Sequence, residues 1–344
     1  MPRLHRSKHK KIVVIGGGTG SFTLLQALKS LTPDITALVN MADDGGSSGA
    51  LRDELGVLPP GDVRQCLVAL ARTEKLRDLF DYRFDNGSLQ GHSFGNIFLT
   101  ALEKWSGSFA EAVETASQIL NIQGRVLPIT LDNVRLVHEA GNGNRTHGEH
   151  HIDLMRFDPD DGQPNIYLDP HAVINPEAAQ AIRQADYIII APGDIYTSLG
   201  PLLLVDGVPD ALKQTRARIV YVCNLVVKPG QTTGMDVADH AAEIERFAGG
   251  RIIDIVLYNT AQPSQELLRK YVHDEEYPVA YDEDRLHHAH YRAIGGNFLA
   301  HQGGKRKAHD PLAAHRSLIR HDTDAIARAI EKIIYAPTIL TKRK

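Results

Sequence analysis

An α/β fold built on a doubly wound, mostly parallel sheet is what this chain predicts, and three observations predict it. Lys11-Ile12-Val13-Val14-Ile15 is a continuous apolar run rich in β-branched residues, the pattern of a strand buried on both faces. Gly16-Gly17-Gly18-Thr19-Gly20-Ser21 follows and leads into Phe22, Leu24, Leu25 and Leu28 at helical spacing. Ile35-Thr36-Ala37-Leu38-Val39 is a second strand, which completes a βαβ unit.

Later elements keep this rhythm with one interruption. Helical segments are expected at 61–72, 95–105 and 109–121. The pieces 126–139 and 150–168 read as strands of a polar, irregular strand-rich excursion, with Gly141-Asn142-Gly143-Asn144 as a turn. A helix at 176–184 restores the alternation, followed by strand Tyr187-Ile188-Ile189-Ile190-Ala191 and a helical region to 215. Strand Ile219-Val220-Tyr221-Val222, a helix at 236–247, a strand from Ile252 to Leu257, a helix at 264–272 and a last helix from Thr323 to Ile334 complete the chain. No internal repeat and no linker rich in Pro, Gly or Ser divides it. The expected organisation is a basic disordered leader at 1–10, one α/β domain at 11–335 and a tail at 336–344.

Composition narrows the function. The chain has 344 residues, 42% hydrophobic and 23% charged, enough to bury a large core. Its net charge of −4 argues against a general nucleic-acid binder, despite Arg3, Arg6, Lys8, Lys10 and Lys11 in the leader. No apolar run is long enough to span a bilayer, so no membrane insertion is expected. Cys66 and Cys223 stand in apolar company, which fits buried thiols in a reducing cytoplasm. Homo-oligomerisation and protein partners are left open.

Chemistry concentrates in glycine-rich loops at strand ends. Gly17, Gly18, Thr19 and Gly20 leave free amides at a helix N-terminus, which suits an anion. The turn lacks G-x-G-x-x-G, since the sixth position is Ser21, and lacks a Walker lysine. A tight turn without a ligand is the competing reading. Asp43-Asp44-Gly45-Gly46-Ser47-Ser48-Gly49 opens at the end of the second strand. Its acids suit a ribose hydroxyl or a Mg²⁺ beside phosphate, and spacing does not choose between them. Gly61-Asp62-Val63-Arg64 opens a helix after two prolines. Asp62 is a candidate ligand contact or a plain N-cap, and Arg64 a phosphate fork or a partner of Asp62 or Glu54.

In Gly91-His92-Ser93-Phe94-Gly95-Asn96, His92 is a candidate acid or base, with a purely hydrogen-bonding histidine as the alternative. Gly193, Asp194, Thr197 and Ser198 follow one strand and Asn224 the next, where open sheets keep ligands. Thr197 and Ser198 as caps of the next helix, with Asp194 only shaping the turn, is the plainer reading. The clusters His147, His150, His151 and His287, His288, His290 lack zinc spacing. No G-x-S-x-G elbow or C-x-x-C pair occurs.

These loops, with Gly124-Arg125-Val126-Leu127-Pro128, Pro192-Gly193-Asp194-Ile195-Tyr196-Thr197-Ser198, Cys223-Asn224-Leu225 and Arg320-His321-Asp322-Thr323, come in the order of a known family. The chain resembles the bacterial gluconeogenesis factor family (YvcK-like), within the superfamily of the 2-phospho-L-lactate transferase CofD. The resemblance implies a Rossmann-like fold and a cytoplasmic protein that supports wall synthesis and cell shape during gluconeogenic growth. It implies a UDP-sugar ligand such as UDP-N-acetylglucosamine, with Arg320 closing over it. In the transferase branch, Asp43, Asp44 and Asp62 would instead organise Mg²⁺ for transfer from a nucleoside diphosphate donor. An NAD-binding protein is a further alternative, supported by the acid after the second strand. The chain departs from the family's pattern at Asp194, at Val226-Val227-Lys228 and in the histidine-rich 147–151 loop.

Overall fold

The computed structural model of the protein describes residues 9–272, 275–300 and 319–335. Strand β1 (Ile12–Gly16) enters helix α1 (Gly18–Leu28) and the chain returns as β2 (Ile35–Val39). Helices α2 (Gly46–Leu55), α3 (Gly61–Leu70), α4 (Glu74–Asp81), α5 (Phe94–Ser106) and α6 (Phe109–Ile119) precede β3 (Arg125–Pro128). The excursion holds β4 (Arg135–Glu139), β5 (Arg145–His147), α7 (Glu149–Asp153) and β6 (Asn165–Asp169). Next come α8 (Pro176–Gln184), β7 (Tyr187–Ile190), a π-helical turn Ile195–Leu199, α9 (Gly200–Leu203), α10 (Val208–Gln214) and β8 (Arg218–Val222). The described chain closes with α11 (Val237–Phe247), β9 (Ile255–Asn259), α12 (Gln265–Val272), α13 (Glu283–His288), β10 (Arg292–Gly296) and α14 (Thr323–Tyr335).

Seven strands form a parallel sheet in the order β3-β2-β1-β7-β8-β9-β10. All five residues of β1 are buried, because neighbouring strands flank both edges and helices cover both faces. Ile12 stands opposite Ile35 on one side and Tyr187 on the other. The chain winds outward through β2 and β3, returns, and winds the other way from β7. The order therefore reverses between β1 and β7, and α/β sheets place ligands beyond the strand ends at such a reversal. A small antiparallel sheet, β5-β4-β6, carries the excursion. Among the described residues no helix is long and apolar enough to cross a membrane.

Four expectations change. Segment 126–139 divides: β3 joins the main sheet beside β2, and only β4 belongs to the excursion. Residues 149–153 are helical, where 150–168 was expected to be extended, because the His150 amide finds a distant acceptor in Asp44 Oδ1 at 2.8 Å. Ile252 and Ile253 precede their strand, since their amides donate to Glu245 Oε1 at 2.7 and 2.9 Å instead of to a ladder. Gly46, Ser47 and Ser48 are the first turn of α2, not an open loop. Residues 1–8 of the leader and the tail at 336–344 lie outside the described residues.

Candidate functional site

The glycine turn after β1 is locked from two sides. Gly17 precedes α1 in extended conformation and offers no side-chain cap, so the first amides depend on partners from outside the helix. The Gly18 amide donates to the Asp62 carboxylate. A Cβ on Gly17 would lie 2.4 Å from Asp62 Oδ2, and one on Gly20 only 1.8 Å from the Pro192 carbonyl oxygen. Glycine is therefore required for the turn to touch both the start of α3 and the exit of β7. Asp62 lies in the first turn of α3, behind Pro60, and it serves the glycine turn rather than capping its own helix.

The two adjacent acids of the motif part company. Asp43 Oδ1 accepts from the Gly45 amide at 3.0 Å, and its carboxylate also takes the Ser48 hydroxyl. Burial raises the Asp43 pKa, and the neighbouring Asp44 adds to the effect. Asp62 is pushed up to about 7, first by burial and then by the negative charge of Asp43. Asp44 turns away to the amide end of α7. There, Glu149 is pushed up to about 9 by burial, with Asp43, Asp153, Asp62 and Asp44 all repelling its charged form. No three His, Cys, Asp or Glu side chains converge tightly enough to hold a metal by themselves among the described residues. Asp43 and Asp62 remain as a pair of carboxylates that repel one another beside the glycine turn.

Arg64, His92 and Asn96 form one network around Ser47. Asn96 Nδ2 donates to Ser47 Oγ at 3.1 Å, and His92 Nδ1 lies 3.0 Å from the same oxygen. Arg64 Nε donates to Asn96 Oδ1 at 3.0 Å, and its guanidinium also pairs with Asp81. Arg64 is buried, with Nε on Asn96 and Nη1 paired with Asp81 rather than with Asp62 or Glu54, and its charge still favours the ionised form of Asp62. It holds the Gly91–Asn96 loop against α3. His92 orients Ser47 in this arrangement.

Beyond β7, Asn224 and Gly193 bond reciprocally: the Gly193 amide donates to Asn224 Oδ1 at 3.0 Å, and Asn224 Nδ2 donates back to the Gly193 carbonyl at 2.9 Å. Thr197 and Ser198 sit inside the π-helical turn, and neither caps a helix through its side chain. Thr197 Oγ1 donates to Asp153 Oδ1 at 3.1 Å, while its carbonyl accepts from Asn40 Nδ2 at 3.3 Å. Lys228 Nζ pairs with Asp153 and donates to Asp194 Oδ2 at 2.9 Å. Burial opposes its charge, but the two carboxylates more than compensate and its pKa rises. Asp194 and Lys228, both expected to depart from the family's pattern, are thus partners.

His321 Nε2 donates to the Cys223 carbonyl at 3.1 Å, and burial pulls its pKa down to about 4. The C-terminal motif is so anchored at the end of β8, with Arg320 exposed beside it. Both cysteines are free and buried. His150 contributes its backbone amide to the site, and His151 bonds back to the His147 carbonyl. Sequence reasoning missed Asn40, Glu149 and Asp153. The only signal for the last two was their separation by four residues, one helical turn, in a segment read as extended.

Residues 12–299 match the family model described as 2-phospho-L-lactate transferase CofD. The chain is 38% identical to the gluconeogenesis factor of Bacillus subtilis, over 94% of this chain and 98% of that protein. It is 42% identical to a putative gluconeogenesis factor of Thermotoga maritima, over 94% and 99% of the two chains. A crystal structure of a Bacillus halodurans protein superposes with a TM-score of 0.85 at 38% identity, covering 94% of this chain and 99% of that one. A second crystal structure from that organism, described as a member of the upf0052 family, superposes at 0.83. The sheet, the interlocked loops at its reversal point and these likenesses together place the chain in the gluconeogenesis factor family, within the wider CofD family.

Proposed function

We propose that the protein is a cytoplasmic nucleotide-sugar-binding regulatory factor, with a ligand of the UDP-N-acetylglucosamine type. Its role would be to support wall synthesis and cell shape during gluconeogenic growth, in keeping with the name its relatives carry. The observation that carries the ligand class is the N-terminus of α1 at the strand-order reversal, which has no cap from its own N-cap residue and is locked between Asp62 and Pro192. The amides of Thr19 and Gly20 would face a diphosphate, with Gly18 held by Asp62, and Arg320 would close over it. Asp62 stands close to that anion, so a bare diphosphate would meet a carboxylate. A Mg²⁺ resolves this conflict, since magnesium characteristically joins one or two carboxylates to phosphate oxygens. Asp43 and Asp62 fit it as donors, in place of the adjacent pair Asp43 and Asp44. When bound, the ion would screen the phosphates from both acids and offset part of their combined charge.

A second reading, transfer from a nucleoside diphosphate donor, is favoured by Asp62 itself. A carboxyl with a pKa of about 7 can accept or release a proton near neutrality. A thermal-shift panel separates the readings: UDP-N-acetylglucosamine, GDP and NAD, each with and without Mg²⁺. A ligand at about 100 times its Kd adds ~2.7 kcal/mol of stability. The expected outcome is a shift with UDP-N-acetylglucosamine that grows with Mg²⁺. A shift with GDP and Mg²⁺ alone favours the transferase reading, and a shift with NAD alone overturns both.

A further inference from the structure

Resting on the nucleotide-sugar reading, we infer that Lys228, clamped between Asp153 and Asp194, selects the group at the far end of the ligand. It would admit a neutral group bearing an acceptor oxygen and turn away an anionic one.

Position is the first argument. Sheets with this winding lay the nucleoside toward the β2 side of the reversal point and the other half of the ligand toward the strands wound the opposite way. Asp194 lies two residues beyond Pro192, whose carbonyl packs on Gly20, so it is at most roughly 7 Å of chain from the glycine turn. Lys228 comes from the loop after β8 and Asp153 from the end of α7, and the three meet on that far side.

Donor accounting is the second argument. An ammonium has three N–H donors. Asp153 Oδ1 and Asp194 Oδ2 take two, and the third has no protein partner among the described residues. The lysine side chain is 21% exposed and the two carboxylates 34% and 39%, so all three are within reach of a ligand.

Charge is the third argument. Two acids against one lysine leave the cluster with one net negative charge when ionised. An uncharged acceptor, such as an amide carbonyl, gains the free N–H without repulsion. A carboxylate meets the excess negative charge. The clamp is not needed to keep α7 docked, because Gln231 Nε2 already bonds the Ile152 carbonyl at 2.8 Å and Thr197 holds Asp153.

Calorimetric titration of the full chain in Mg²⁺ tests this with UDP, UDP-glucose, UDP-N-acetylglucosamine and UDP-glucuronate. The wild type should favour UDP-N-acetylglucosamine over UDP-glucuronate by about tenfold or more. Asp194→Asn keeps an acceptor for Lys228 and removes one negative charge. It should narrow that preference roughly fivefold, chiefly by tightening UDP-glucuronate. Lys228→Met should weaken UDP-N-acetylglucosamine roughly tenfold and leave UDP unchanged. Melting curves establish that each variant is folded, and the conservative Asp194→Asn decides the matter if Lys228→Met is not. Discrimination by Asp194→Asn equal to wild type overturns the inference, as does an equal loss of UDP and UDP-N-acetylglucosamine in Lys228→Met. A wild type that binds none of the four overturns the nucleotide-sugar reading itself.

Discussion

At the scale of residues, Asp62 makes the clearest demand. Its carboxyl is raised to about 7 by burial and by Asp43, so the folded protein holds a proton that the unfolded chain has released. An acid raised in this way costs stability above its folded pKa. That cost fades as pH falls from about 7 toward the ordinary carboxylate range near 4. Asp62→Asn keeps an acceptor for the Gly18 amide and removes the charge. Without ligand, the variant should melt above wild type at pH 8, and the gap should narrow steadily as pH falls toward about 4. Equal melting temperatures at both pH values would sink this account. With Mg²⁺ and nucleotide the order should reverse, because only the wild type gains from the ion. The motif that holds Asp43 and Asp44 was legible in the chain, but their separate duties were not. Adjacent identical side chains carry no local cue to direction, and the partner that turns Asp44 aside is a backbone amide 106 residues later. The Arg64–Asp81 pair was missed for a similar reason, since Asp81 belongs to a helix the sequence pattern did not reveal.

At the scale of elements, α7 shows how a short helix depends on its surroundings. Five residues hold too little of the 3.6-residue period to be recognised, and too few internal bonds to persist alone. Asp44 acts as a distant N-terminal cap, while Gln231 gathers the carbonyls of Ile152, Asp153 and Met155 at the other end. Asp44→Ala should therefore cost about 1 kcal/mol in urea unfolding. It should also speed hydrogen exchange across residues 149–153 while the main sheet stays protected. Unchanged exchange at His150 would show that the cap does not matter. Almost wholly apolar strands such as β1, β2 and β7 were plain in the sequence because burial on both faces leaves little room for polar positions. β10 was not. It is an edge strand, Arg292-Ala293-Ile294-Gly295-Gly296, whose exposed face and paired glycines erase the apolar signal.

At the scale of the whole molecule, the alternation of strand and helix was enough to predict a parallel sheet. It did not reveal that the chain leaves the sheet at β3 and re-enters beside β1, because strand order is settled by long crossovers with no local signature. The far end of the chain closes this architecture. α14 lies on α1 and buries Ile326, Ile330, Ile333 and Ile334, and the Tyr187 hydroxyl of β7 donates to its last-turn carbonyls. Burying an isoleucine is worth roughly 1.5–3 kcal/mol, so four of them rival the ~5–15 kcal/mol that holds a typical domain together. Deleting residues 323–344 should leave a chain without a cooperative melting transition by circular dichroism. A sharp transition in the truncated chain would show that α14 is an accessory. The reciprocal pair Asn224–Gly193 has a consequence for speed at this same scale. A carboxamide there stands in for one more peptide rung, so the loops past β7 and β8 are joined as though the ladder continued beyond its last strand residue. A floor already set before the ligand arrives needs no ordering step. Nucleotide capture should then show a single association phase that rises linearly with ligand concentration, without the plateau that a slow rearrangement imposes.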